Sequence, residues 1–169
     1  MRKISFSNDV LPLKNELYRL ALRITLNRME AEDIVQETML RVWSRRQSWD
    51  KIESISAFCL TICRNLALDK AKSPSRNSLT IDESGVKASA DTSPSANPAA
   101  QTEARDRLDM IRKIMNSLPE KQRTAMHLRD FEGKSYKEIA DIMRISEDQV
   151  KVNIFRARQT IKRKFTSNK

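Results

Sequence analysis

With 169 residues, 32 lysines and arginines against 22 aspartates and glutamates, and one histidine, the chain carries a net charge of +10. That length allows one compact domain or two small ones, and the basic balance favours an anionic partner. Two cysteines, two glycines and no apolar run of membrane-spanning length argue against a disulfide scaffold, a glycine-rich phosphate loop and a transmembrane protein.

The opening MRKISFSNDVLPLKNE is too polar for a signal peptide, which predicts a cytoplasmic protein with no direct membrane insertion. Helical periodicity starts with Leu13, Leu17, Leu20, Ala21 and Ile24. A second stripe, Ile34, Val35, Thr38, Met39, Val42 and Trp43, follows Asn27 and Glu30, which are placed like a capping pair. A third stripe joins Ile55, Phe58, Cys59, Ile62 and Leu66. The steps are of three and four, never two, so helices and not strands are expected. Cys59 and Cys63 lie one turn apart with no further cysteine to complete a metal site, so they read as small buried hydrophobes, and no cofactor or metal is expected.

Residues 73–101, SPSRNSLTIDESGVKASADTSPSANPAAQ, break the pattern with seven serines, three prolines and no aromatic residue. Such a composition predicts a flexible linker, too long for a connection inside one compact domain. The chain therefore divides into a first unit (1–72), the linker, and a second unit (102–169), an all-α architecture of two small helical domains.

In the second unit Ser117-x-x-Glu120, Ser135-x-x-Glu138 and Ser146-x-x-Gln149 match the capping-box pattern, Pro119 suits a helix's first turn, and Gly133 supplies a break. These marks predict helices over about 102–116, 119–131, 135–142 and 146–165, the last two forming a helix-turn-helix. From Val150 onward there are seven basic side chains and no acidic one. Val150, Ile154, Ala157 and Ile161 share one face of the final helix. Lys151, Val152, Phe155 and Arg156 fall on the other, near the helix start, where a recognition helix meets base edges in the major groove. Arg158, Lys162, Arg163 and Lys164 lie further on, where phosphates are the expected contact. His127, the only histidine, has no fixed partner in sequence, and the chain is not expected to be an enzyme.

EDIVQETMLRVW (32–43) and SWDKIESISAFCLTICRNLALDKAKS (48–73) resemble conserved region two of bacterial sigma factors. LPEKQRTAMHLRDFEGKSYKEIADIMRISEDQVKVNIFRARQTIKRKF resembles their region four. With only a linker in place of region three, the order is similar to that of the extracytoplasmic-function (ECF) class. The resemblance covers about 13–72 and 108–165.

It implies a protein that binds core RNA polymerase, brings it to promoter DNA and helps open the duplex, with the helix-turn-helix as one of two grips. Asp33, Gln36 and Glu37 match the helix that docks on the polymerase clamp's coiled coil. Trp49 matches the loop that holds an unstacked minus-ten base, and Asn65 and Asp69 match the helix facing that base. Trp43 matches a packing position. Lys151, Val152, Phe155 and Arg156 match the residues that read the minus-thirty-five element. The family's anti-sigma partner, often membrane-bound, is implied as well. One departure stands out: many members carry Ser-Arg where this chain has Val152-Asn153, so the usual minus-thirty-five sequence is not expected. Read from its residues alone, the chain also suits a stand-alone helix-turn-helix regulator, which would bind an operator tightly without polymerase.

Overall fold

The computed structural model describes residues 3–72 and 98–167; of the expected linker, 73–97 lies outside the described residues. Every regular element described is helical. Short turns at Phe6–Val10 and Leu11–Leu13 lead into α1 (Lys14–Thr25), α2 (Arg28–Ser44) and, after a 3-10 turn at Arg46–Lys51, α3 (Ile55–Ala71). The second unit holds α4 (Pro98–Ser117), α5 (Glu120–Met126, continued by a wider turn over His127–Phe131), α6 (Tyr136–Met143) and α7 (Glu147–Ser167). Helix α4 thus takes in the last four residues of the expected linker.

Local chemistry explains most boundaries. The Asn27 side chain accepts the Glu30 N–H at 3.0 Å and so caps α2. Ser54 does the same for α3 through the Ala57 N–H at 3.2 Å. Ser135 and Glu138 form a full capping box, with both bonds at 3.1 Å. Ser146 and Gln149 form another, at 3.1 and 3.2 Å. Gly133 turns with φ +69°, a left-handed conformation that suits a residue without Cβ. The Ser117 box does not form. Ser117 Oγ instead donates to the Ile114 carbonyl at 2.6 Å, and Pro119 takes the N-cap position without a side-chain bond. Glu120, the first residue of α5 and so out of register for the box, meets Arg64 at 2.9 Å and Thr124 at 2.5 Å.

Helices α1, α2 and α3 pack around Leu17, Leu20, Ala21, Ile24, Ile34, Val35, Val42, Cys59, Leu60, Cys63 and Ala67, all buried. Each large apolar side chain among them contributes about 1.5–3 kcal/mol. Burial pushes both thiols up to about 12, so Cys59 and Cys63 are neutral packing groups, and Cys63 Sγ donates to the Leu17 carbonyl. The apolar circumference of α3 is wider than one stripe: Ile55, Phe58, Ile62 and Leu66 are only partly buried, and Phe58 and Ile62 lie beside Asp141 and Arg144 of the second unit.

That seating is the main addition to the sequence reading. Where two units on a linker are expected, the structure packs one against the other, and Leu128, Ile139, Ile142 and Met143 join the same core as α1–α3. Met115, Leu118, Met126 and Ala157 form a smaller core between α4, α5 and α7. Ion pairs line the seam. Arg19 holds both oxygens of Glu132 at 2.7 and 2.8 Å, Lys134 meets Glu16 at 2.7 Å, and Arg64 meets Glu120 at 2.9 Å. His127 sits within it, its Nδ1 accepting from Arg23 at 3.3 Å and its Nε2 lying 3.2 Å from Glu132.

Candidate nucleic-acid interface

Three exposed surfaces carry the residues singled out in the sequence. On α2, Asp33, Gln36 and Glu37 all face solvent, and Glu37 accepts from Arg41 at 3.0 Å, an i,i+4 pair. Met29 and Leu40, 77% and 65% exposed, extend the same stripe to either side. Sequence reasoning passed over both. The signal was available: steps of four, three, one and three from Met29 to Leu40 mark a second face opposite the core stripe. Two acidic groups between two apolar ends suit a basic, amphipathic partner helix.

On α3, Asn65 and Asp69 are exposed one turn apart. Asn65 opens onto a cleft of about 400 Å³ shared with Arg41, Arg45, Phe58, Thr61 and Ile62 of the first unit and with Asp141 and Arg144 of the second. An apolar wall, an amide that both donates and accepts, and arginines at the rim can take a nucleobase and the phosphate attached to it.

The two tryptophans differ in burial from what their expected roles imply. Trp49 is buried, 7% exposed, and its indole N–H donates to the Val42 carbonyl at 3.0 Å. It anchors the 46–51 turn from within and offers no open ring face, because a buried indole N–H needs a partner and finds one on the end of α2. Trp43, expected in the core, is 46% exposed. Arg46 lies over its ring at 4.5 Å, and Phe6 and Trp49 meet it edge-on at 5.5 and 6.2 Å.

On α7 the division into faces holds. Val150, Ile154 and Ala157 are buried against α5 and α6, whereas Lys151, Val152, Phe155 and Arg156 are exposed, Phe155 by 62%. The Lys151 ammonium sits 5.4 Å from the centre of the Tyr136 ring. Asn153 is turned back along its own helix, donating to the Gln149 carbonyl at 2.8 Å. Of the four residues expected at phosphates, Lys162, Arg163 and Lys164 are exposed, while Arg158 is paired with Asp130. That pair raises the guanidinium's pKa and holds its direction.

Comparison with known proteins fits this arrangement. Residues 10–77 match the family model "Sigma-70 region 2" and residues 108–161 match "Sigma-70, region 4". The chain is 30% identical over 148 residues to the ECF RNA polymerase sigma factor SigM of Bacillus subtilis, covering 88% of this chain and 87% of that one. It is 33% identical over 138 residues to the ECF RNA polymerase sigma factor SigL of Mycobacterium tuberculosis, covering 80% and 74%. Among solved structures, the sigma factor RpoE in complex with the anti-sigma factor NepR from Bartonella quintana superposes with a TM-score of 0.70 at 22% identity, over 94% of both chains.

Proposed function

The chain belongs to the ECF sigma factors, non-enzymatic proteins that direct transcription initiation by RNA polymerase, and from that premise we propose how its surfaces divide the work. Residues 1–72 form the unit that binds core polymerase and engages the minus-ten element, 102–169 form the unit that reads the minus-thirty-five element, and 73–101 joins them.

Asp33, Gln36 and Glu37 dock on the polymerase clamp, supported by their exposure on one face of α2 between Met29 and Leu40. Asn65 and Asp69 face the unstacked minus-ten base, with Asn65 placed to hydrogen-bond it in the α3 cleft. Trp49 supports that site from inside by fixing the turn that precedes α3. Lys151 and Arg156 read base edges, Val152 and Phe155 add apolar contact such as a thymine methyl accepts, and Lys162, Arg163 and Lys164 grip phosphates. Arg158 reaches a phosphate only by leaving Asp130.

The observation that carries this reading is the exposure of Lys151, Val152, Phe155 and Arg156 together on a helix whose opposite face is buried. We read the chain as cytoplasmic because its proposed work is on chromosomal DNA; among the described residues no helix is long and apolar enough to cross a membrane. An anti-sigma partner, such as the Bartonella quintana protein was solved with, fits the same role. The test is reconstitution: the purified chain added to core polymerase should produce transcripts that start at one promoter position, and core polymerase alone should not. A stand-alone regulator would bind its duplex and yield no such transcripts.

A further inference from the structure

We propose that Met29 is an oxidation site, and that adding one oxygen to its sulfur weakens docking of the chain on core polymerase. The proposal rests on the reading of Asp33, Gln36 and Glu37 as polymerase contacts and concerns how that surface is regulated.

Selectivity comes from where the chain keeps its sulfur. Met115, Met126 and Met143 are buried, and Met39 and Met110 are partly buried. Cys59 and Cys63 are fully buried between α1, α2 and α3, and their thiols stay neutral, so neither presents the reactive thiolate. Met29 is 77% exposed, and among the described residues it is the one methionine facing solvent. Its backbone is nonetheless fixed: α2 begins at Arg28, and the Asn27 cap on the Glu30 N–H holds the turn around it. An oxidant therefore reaches one thioether freely, and the change it makes there meets little packing on which the fold depends.

The position of that sulfur gives its oxidation a consequence. Met29, Asp33, Gln36 and Leu40 follow at steps of four, three and four, along one face of α2 over about 16 Å. Leu40, 65% exposed, closes the other end, so the apolar contact this face can offer is concentrated in Met29 and Leu40. An oxygen donor such as hypochlorous acid acts on the sulfur directly. A sulfur lone pair forms the S–O bond, the O–Cl bond breaks, and chloride and a proton leave; sulfur has given up two electrons. The sulfoxide is polar where the thioether was apolar, and seating it against a partner strips water from a strong dipole. Sulfoxide reductases, one for each epimer, return the thioether at the expense of two thiols, releasing a disulfide and water. The change is therefore reversible.

The test treats the full chain with limiting hypochlorous acid, quenches with free methionine, and only then adds core polymerase. Peptide mass spectrometry should find Met29 oxygenated before Met39, Met110 or either cysteine. Affinity for core polymerase, read by fluorescence anisotropy, should fall about tenfold, the scale of one lost apolar contact. The helical signal and the melting temperature should stay at wild-type values, because the buried methionines are untouched. Both sulfoxide reductases with dithiothreitol should restore the affinity. Met29→Leu keeps an apolar side chain that takes up no oxygen, so oxidant should leave that variant at its own untreated affinity. Met29→Gln, polar without any oxidant, should bind weakly from the start. Oxygenation of Met39 or Met110 ahead of Met29, an equal loss in wild type and Met29→Leu, or normal binding by Met29→Gln overturns the proposal. The combined reversal Asp33→Lys and Glu37→Lys keeps the two readings apart. If that variant binds core polymerase normally, the docking assignment fails and this proposal with it; if it binds weakly while oxidised Met29 costs no affinity, only the oxidation site is lost.

Discussion

Replacing Trp49 by Ala should unfold this protein more readily before it does anything else. The indole is 7% exposed, bonded to the Val42 carbonyl at 3.0 Å and in edge contact with Trp43 at 6.2 Å between centroids. Truncating a buried Trp to Ala costs about 3–5 kcal/mol. Two features place this site at the low end. The Val42 carbonyl keeps the Arg45 N–H at 3.2 Å, so losing the indole leaves no orphaned acceptor and removes only a net bond of about 1 kcal/mol. The neighbours Gln47, Ser48 and Asp50 are exposed, so the turn can settle or admit water into the space left behind. A loss of about 3 kcal/mol at this chain length lowers the melting temperature by roughly 6–12 °C. Thermal and urea unfolding followed by circular dichroism measure it, and Trp49→Phe, which keeps most of the ring, should lose about half as much. A Trp49→Ala protein that melts within about 2 °C of wild type, yet fails to open promoters, would refute the reasoning and return the ring to the DNA surface.

Acidification should loosen the seam. Burial holds the His127 imidazole below its usual value, opposed by Glu132 and reinforced by Arg23 and Arg19, and the ring accepts from Arg23, itself facing Arg112 and Arg123. A histidine kept neutral in the native state takes up its proton only on opening, so stability falls as pH drops below about 6.5, and His127→Gln should flatten that slope in pH-dependent urea unfolding. Glu132, held down to about 2 by Arg19 and His127 against its own burial, stabilises above about 4.5 and loses that contribution as pH falls towards 2, a separate and lower window. Asp33→Lys with Glu37→Lys should weaken association with core polymerase tenfold or so while the melting temperature stays close to wild type, since exposed substitutions cost under about 0.5 kcal/mol; normal association would remove the pair from the interface. Arg156→Ala should relax preference at one or two upstream base pairs by about 1–3 kcal/mol, whereas Lys162→Ala should weaken all sequences alike and lower the salt slope by roughly one. A panel of single-base promoter variants, measured at several salt concentrations, separates these two outcomes.

How far the sequence could be read depended on whether each signal was local. Asn27, Ser135 and Ser146 cap their helices as their spacing implies, and Gly133 turns where a break was expected, because each motif is satisfied within one turn of backbone. Ser117 carries the same pattern and fails, because it is the last residue of α4 and the next helix starts only at Glu120, which Arg64, distant in sequence, engages. Helical periodicity likewise identified the buried face of α7 and, by subtraction, its candidate reading face. It carries Trp43 along the α2 stripe although that ring is half-exposed where the helix ends, and it says nothing of Trp49, which lies in a turn without period, is matched to its loop by resemblance alone, and folds back on Val42. The seam was not legible at all. Arg19 and Glu132, or Glu16 and Lys134, are ordinary surface charges in sequence, and only the packing of α6 on α3 makes them partners.

The most direct test of the division of labour is permanganate footprinting of promoter complexes formed by core polymerase with wild type, Asn65→Ala or Arg156→Ala. Asn65→Ala should protect the upstream duplex as wild type does yet leave the minus-ten thymines unreactive, while Arg156→Ala should weaken upstream protection and still open the complexes that form. If Asn65→Ala yields the same thymine reactivity as wild type at equal upstream occupancy, the α3 cleft does not hold the extruded base.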